Sequence, residues 1–162
     1  MMERYAVVAG RIRQELVELE RVVTRAERAI AAARQSLENQ DLYLDSAALN
    51  LHDFYAGLER IFRQIAATVD QSVPSEHDWH RELLRQMTVD LPQVRPQVLS
   101  VEAAHAIDEF LRFRHIVRNI YTFEFDADRI EHLVRRLEPS FEQARTELLA
   151  FAEFLDRLAQ KA

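Results

Sequence analysis

The chain contains no cysteine, which excludes disulfides, thiolate zinc sites and a cysteine nucleophile and is compatible with a reducing cytoplasm. Two glycines and four prolines in 162 residues are too few for a β-rich fold with many tight turns. No apolar run approaches the roughly 20 residues that a bilayer-spanning helix needs. The N-terminal stretch MMERYAVVAGRIRQ lacks both the uninterrupted apolar segment and the cleavage site of a signal peptide. The expectation is a cytoplasmic protein with no membrane contact. Lysine is almost missing: of 21 basic residues only Lys161 is one, a bias that genome base composition explains without reference to function. The common zinc and iron motifs are missing too. His77 and His80 can share a helix face at i, i+3, but no third ligand accompanies them, so no metal site is expected.

What is present describes an ordinary globular protein, 48% apolar and 30% charged. The length suits one hydrophobic core, and a single domain over residues 1–162 is the natural expectation. The formal net charge of -6 argues against non-specific coating of duplex DNA while leaving room for a local basic cleft. Apolar residues at three- and four-residue steps mark helices. Val7, Ile12, Leu16, Leu19, Val22, Val23, Ala26, Ile30 and Ala33 predict one from about Glu3 to Leu37. Leu49, Phe54, Leu58, Ile61, Phe62 and Ile65 predict a second from Leu42 to about Val69. Asn50, His52, Asp53 and Tyr55, in its first half, read as a solvated or interface face, or as a polar site between helices.

Ser75 and Asp78 look like caps for a short helix from Glu76 to about Met87. The prolines of VDLPQVRPQVLS mark a loop over Val89–Ser100. Ser100 can cap a helix reaching about Tyr121. After a turn over Thr122–Asp128, with Asp126 as a cap, a last helix runs from Arg129 to about Leu158. Pro139 either kinks it or splits it. The fold class is therefore all-α: an up-and-down helical bundle of four long helices plus one short helix.

One stretch stands apart. FLRFRHIVRNIYTFEF, Phe110–Phe125, places Arg112, Arg114, His115 and Arg118 within seven residues. On a helical projection Ile107, Phe110, Phe113, Val117 and Ile120 share an apolar arc, and Arg114 falls inside it. A guanidinium there must be neutralised by an acid such as Glu59 or Asp108, bound to a ligand, or turned to an interface, because an unpaired buried charge is costly. His115 and Asn119 form a separate i, i+4 stripe at the rim.

The run Arg114-His115-Ile116-Val117-Arg118-Asn119-Ile120-Tyr121 resembles the signature of the HEPN superfamily, and more narrowly that of HepT-like toxins encoded beside minimal nucleotidyltransferase antitoxins. That signature is an arginine, usually a polar follower, four to six residues and a histidine, with a tyrosine two residues later in HepT-like proteins. Arg114, His115 and Tyr121 match, whereas the histidine position holds Asn119. The helix-rich layout from about Asp41 onward, with LHDFYAGLERIF, WHRELLRQM and the proline loop, extends the likeness.

The resemblance implies a metal-independent endoribonuclease acting as a homodimer, its RNA cleft built from both copies of this helix. Arg114 would bind the scissile phosphate, Asn119 would occupy the usual catalytic-histidine position, and His115 would serve as polar support or substitute base. Arg112 and Arg118 would contact substrate. The chain itself would need no cofactor. ATP and Mg²⁺ would be used by the nucleotidyltransferase partner to modify Tyr121 and silence the toxin. Because asparagine cannot titrate, the alternative is a non-catalytic HEPN-like module that docks a nucleotidyltransferase, or binds RNA or nucleotide, without cleaving. A purely structural helical dimer is the fallback.

Overall fold

The computed structural model describes residues 2–119 and 126–161, with the side chains of 115–119 outside that description. It is an all-α bundle. Helix α1 spans Met2–Gln35, α2 Gln40–Ile65, α3 Trp79–Met87, α4 Val101–Asn119 and α5 Ala127–Gln160. Four of them are long and α3 is short, as the periodicity predicts. Helix α1 lies along α2 and α5, while α2 also packs on α3, α4 and α5, and α3 on α4. The buried side chains form one apolar cluster to which all five helices contribute. Among the described residues no helix is long and apolar enough to cross a membrane.

Three local devices fix where the helices begin and end. Ser100 caps α4 by accepting from the backbone N–H of Ala103 at 3.1 Å, and Asp126 caps α5 by accepting from Asp128 and Arg129, as expected for such caps. The end of α2 widens into a π-helical turn over Ala66–Asp70. The chain then reverses at Gln71, whose φ of 55° lies in the left-handed region. Pro139 sits inside α5 without splitting it. The first helix meets the second at Gly57, where a Cβ would stand 2.5 Å from Leu19 Cδ2 and 3.0 Å from Glu15 Oε1. The glycine is therefore a close-approach site rather than a turn.

Several sequence expectations need correction. The short helix starts at Trp79, not Glu76. Asp78 occupies its cap position but makes no side-chain capping bond. Val7 and Leu49 are exposed, and Val8, Ala9, Ala47, Ala48 and Leu51 take the interior positions instead. Since neighbouring residues on a helix point about 100° apart, a one-residue error in phase exchanges core for surface. Tyr55 is fully buried, so the polar run in the first half of α2 is not a uniformly solvated face. The expected turn over Thr122–Asp128 lies mostly outside the described residues.

The proline loop between α3 and α4 is closed by a buried ion pair. Arg95 Nε donates to Asp70 Oδ1 at 2.5 Å, and its Nη2 donates to Asp70 Oδ2 at 2.7 Å. These side chains are 0% and 1% exposed. The rest of the guanidinium fork donates to the carbonyls of Gln86, Val89 and Pro96 at 2.9–3.1 Å. Gln86 Nε2 supports Asp70 at 2.8 Å. Thus the end of α2, the end of α3 and the loop before α4 are tied at one point, with every nitrogen of the guanidinium engaged. Removing one member strands a buried charge, which costs about 3–5 kcal/mol. Asp70→Ala is accordingly expected to lower unfolding free energy by about that amount in a urea titration. A loss below about 1 kcal/mol would show that the pair is dispensable.

Candidate functional site

Each of α2, α3 and α4 carries a polar residue on its apolar face, and the three meet. Glu59 lies one turn after Tyr55 and one turn before Phe62 on α2. His80 precedes Leu83 and Leu84 on α3 by one turn, and Arg114 follows Phe110 on α4 by one turn. Their neighbours at those spacings are all buried, so helical periodicity carries the three polar groups inward. Edge-to-face contact of Phe54 with Phe110, ring centroids 5.1 Å apart, fixes α2 against α4 just below the cluster.

The carboxylate of Glu59 is the centre. His80 Nδ1 lies 2.6 Å from its Oε2, and Arg114 Nη1 donates to Oε2 at 3.1 Å and to Oε1 at 3.3 Å. The side chains of Glu59, His80 and Arg114 are 8%, 10% and 17% exposed. Arg114 Nη1 also approaches His80 Nδ1 at 3.0 Å. Both nitrogens act as donors if the imidazole carries its proton on Nδ1, and the shared carboxylate oxygen then satisfies both, a charge-assisted arrangement. Trp79 stacks on His80 with ring centroids 3.5 Å apart, and Arg63 covers the Trp79 ring at 5.0 Å.

Beneath the guanidinium lies Tyr55, its ring centroid 5.8 Å from Arg114 Cζ, within cation–π range. Burial, followed by the charge of Glu59, pushes its phenol well above the usual range, against the opposing pull of Arg114. The ring is therefore neutral. Its hydroxyl is buried near Glu59 but makes no hydrogen bond of sound geometry, and Arg114 Nε is likewise buried without an acceptor.

The contrast between the two inner arginines is instructive. Arg95 has all three of its nitrogens bonded. Among the described residues Arg114 donates only through Nη1, to Glu59, and its Nε is buried without an acceptor.

Of the residues singled out in the sequence, Arg114 occupies the cluster, and of the two acids named for it, Glu59 is its partner. Asp108 instead pairs with Arg112, Nε to Oδ2 at 2.9 Å. Arg112 is exposed and borders an open groove of about 350 Å³, lined also by Arg81, Arg85, His105 and Asp108. His115, Arg118 and Asn119 lie on the last turns of α4, but their side chains fall outside the described residues, as does all of Tyr121. Sequence reasoning missed His80 as a member of the cluster, treating it only as a candidate metal ligand beside His77. His77 is exposed and His80 is buried against Glu59, so the two do not work as a pair. The missed signal was one polar residue on an otherwise apolar helix face.

Removal of the Tyr55 hydroxyl checks this geometry. An unpaired buried hydroxyl costs about 1–3 kcal/mol, so Tyr55→Phe should leave the unfolding free energy unchanged or raise it. A loss above about 1 kcal/mol would mean that the hydroxyl has a partner.

The family model described as HepT-like protein matches residues 46–155, a span that contains Tyr55, Glu59, His80, Arg114 and the motif through Tyr121. No curated protein and no solved structure gives a comparable match. The chain belongs to the HepT-like family, within the HEPN superfamily.

Proposed function

We propose that this HepT-like protein is the toxin subunit of a toxin–antitoxin pair: a metal-independent endoribonuclease that acts as a homodimer. The observation that carries the reading is the state of Arg114. Its Nη1 is pinned by Glu59, while its Nε is buried without an acceptor and Nη2 has none among the described residues. The guanidinium is thus held in one orientation at the end of α4. RNA cleavage next to a 2′-hydroxyl builds charge on a pentavalent phosphorus, and a fixed, always-charged guanidinium is suited to stabilising it. Arg112 and Arg118 would add contacts to neighbouring phosphates. Family membership supports a partner and a mode of regulation: a nucleotidyltransferase, using ATP and Mg²⁺, would add AMP to Tyr121 and place new phosphates where RNA would otherwise meet the arginines.

A second reading is favoured by two facts. Asn119 stands at the usual catalytic-histidine position, and the charge of Arg114 is offset by Glu59. On that reading the chain is a non-catalytic module that docks the nucleotidyltransferase or binds RNA without cutting.

Incubation of the purified protein with a labelled tRNA pool in EDTA separates the two. Cleavage by the wild type, abolished or lowered by roughly 10²–10³ in Arg114→Ala, supports the ribonuclease. A wild type and a folded Asn119→His variant that are both inert on every RNA tried would leave the docking module. Light scattering at tens of micromolar should report a dimer, and a monomer would count against the two-copy cleft. With the neighbouring nucleotidyltransferase, ATP and Mg²⁺, mass spectrometry should find AMP on Tyr121. Modification elsewhere, or none, would remove that regulatory arm.

A further inference from the structure

We infer that the outer face of the α1–α2 hairpin is a self-complementary docking surface, and that its occupant is the same face of a second copy of this chain, related by a two-fold axis. The inference goes beyond the ribonuclease reading and does not depend on it, since it involves neither α4 nor the Glu59 cluster. The basic half of the surface lies on α1, outside the span 46–155 that the family model matches.

Within one chain this face carries apolar groups and charges that nothing answers. Leu42 and Leu49 are 61% and 59% exposed and stand seven residues apart on α2, two turns along one stripe. Single exposed leucines are ordinary, but these two share their surface with charges that lack a counterpart. Asp41 and Asp45 flank Leu42, and Arg25 and Arg28 are exposed on α1. The other arginines of this stretch of α1 are paired, Arg21 with Glu18 and Arg34 with Glu131. None of Arg25, Arg28, Asp41 and Asp45 has an ion pair among the described residues. Partial burial and the nearby charge of Asp41 hold the Asp45 carboxyl above its usual range, so a cation arriving there relieves a repulsion. An open groove of about 760 Å³ runs between the helices, lined by Arg25, Arg28, Ala29, Ala32, Tyr43 and Ser46.

The register of the hairpin points to what covers it. Arg60 donates to Glu15 at 2.7 Å and Arg11 to Gln64 at 3.0 Å, contacts that fix how α1 is aligned along α2. Continued toward the connecting turn, that alignment sets Arg28 level with Ala47 and Arg25 level with Asn50. A two-fold axis passing between Asp45 and Ser46 runs the α2 helices of two copies antiparallel. Leu42 of one copy then meets Leu49 of the other, and Leu49 meets Leu42, as an isologous contact requires. In the same alignment Arg25 comes level with Asp41 of the second copy, and Arg28 falls within one residue of its Asp45. Each pair forms twice. A single axis therefore matches leucine to leucine and arginine to aspartate, whereas a foreign partner would have to carry the opposite charges at the same spacing.

The experiment uses the full chain in sedimentation equilibrium. A contact of one helix stripe per copy belongs to the weak class that buries less than about 1,200 Å². Its association is expected at roughly hundreds of micromolar, above the range in which the α4 cleft is tested. The average mass of the wild type should rise toward twice its low-concentration value between about 10 and about 500 micromolar. Leu49→Glu should abolish that rise. Arg25→Asp should move it at least about fivefold higher in concentration, since it sets two like-charge pairs across the axis. The exchange Arg25→Asp/Asp41→Arg should bring it back to within about twofold of the wild type. Because the chain has no cysteine, Ser46→Cys supplies a probe of the axis itself. Under mild oxidation it should form a disulfide between copies at least about tenfold faster than Leu37→Cys, which is exposed but far from the axis. A wild type of constant mass across the range overturns the proposal, and so does a Leu49→Glu that associates like the wild type. An exchange variant no better than Arg25→Asp overturns it too, as does a Ser46→Cys that cross-links no faster than Leu37→Cys. If Leu49→Glu does not fold, the charge exchange and the cross-link decide. None of these substitutions touches Glu59, His80 or Arg114, so failure here is read separately from failure of RNA cleavage.

Discussion

The site depends on one charge in a place where charges are costly. Glu59 lies inside the helical cluster, 8% exposed, and an ionised carboxylate there must be matched by donors. Meeting that demand draws one residue from each of two other helices. Arg114 must come from α4 and His80 from α3, and the backbone of both must be placed to within hydrogen-bonding tolerance. The Arg95–Asp70 lock makes this possible by holding the loop that separates α3 from α4, so that the positions of the two helices are set by a second buried pair. Remote packing and local chemistry are coupled in this way: the loop tie places α3, α3 places His80, and His80 shares the oxygen that pins Arg114.

The two buried arginines show how saturation distinguishes a scaffold from a site. Arg95 is spent entirely on protein acceptors, and its surroundings give it nothing further to do. Arg114 is anchored at one nitrogen, and its Nε is buried without an acceptor. A guanidinium kept only to neutralise Glu59 would be better served by engaging both of its η nitrogens, because an unsatisfied buried N–H lowers stability. The cost visible at Arg114 Nε and at the Tyr55 hydroxyl is the kind of local frustration that a folded protein tolerates where function asks for it.

The sequence alone determined the architecture. Few glycines and prolines, four long runs of three- and four-residue apolar spacing and one short run leave little besides an all-α bundle. The caps at Ser100 and Asp126 were legible because capping is a local affair between a side chain and the next turn. So was the anomaly of Arg114, since one helix suffices to show a charge on an apolar arc, and Glu59 could be named among its possible partners. The phase errors at Val7 and Leu49 were of another kind: both residues are apolar, and only the neighbouring helices decide which of two adjacent apolar residues faces inward. What only the tertiary structure decided is the choice of Glu59 over Asp108, the saturation of Arg95 by Asp70, and the arrival of His80 at Arg114. Each joins residues 25 to 55 positions apart. Hydrophobic patterning fixes which face of a helix turns inward, but not which inward-facing polar groups come to lie at the same depth. That depends on the axial offsets between helices, which the loop tie and the aromatic contacts set and no single helix encodes.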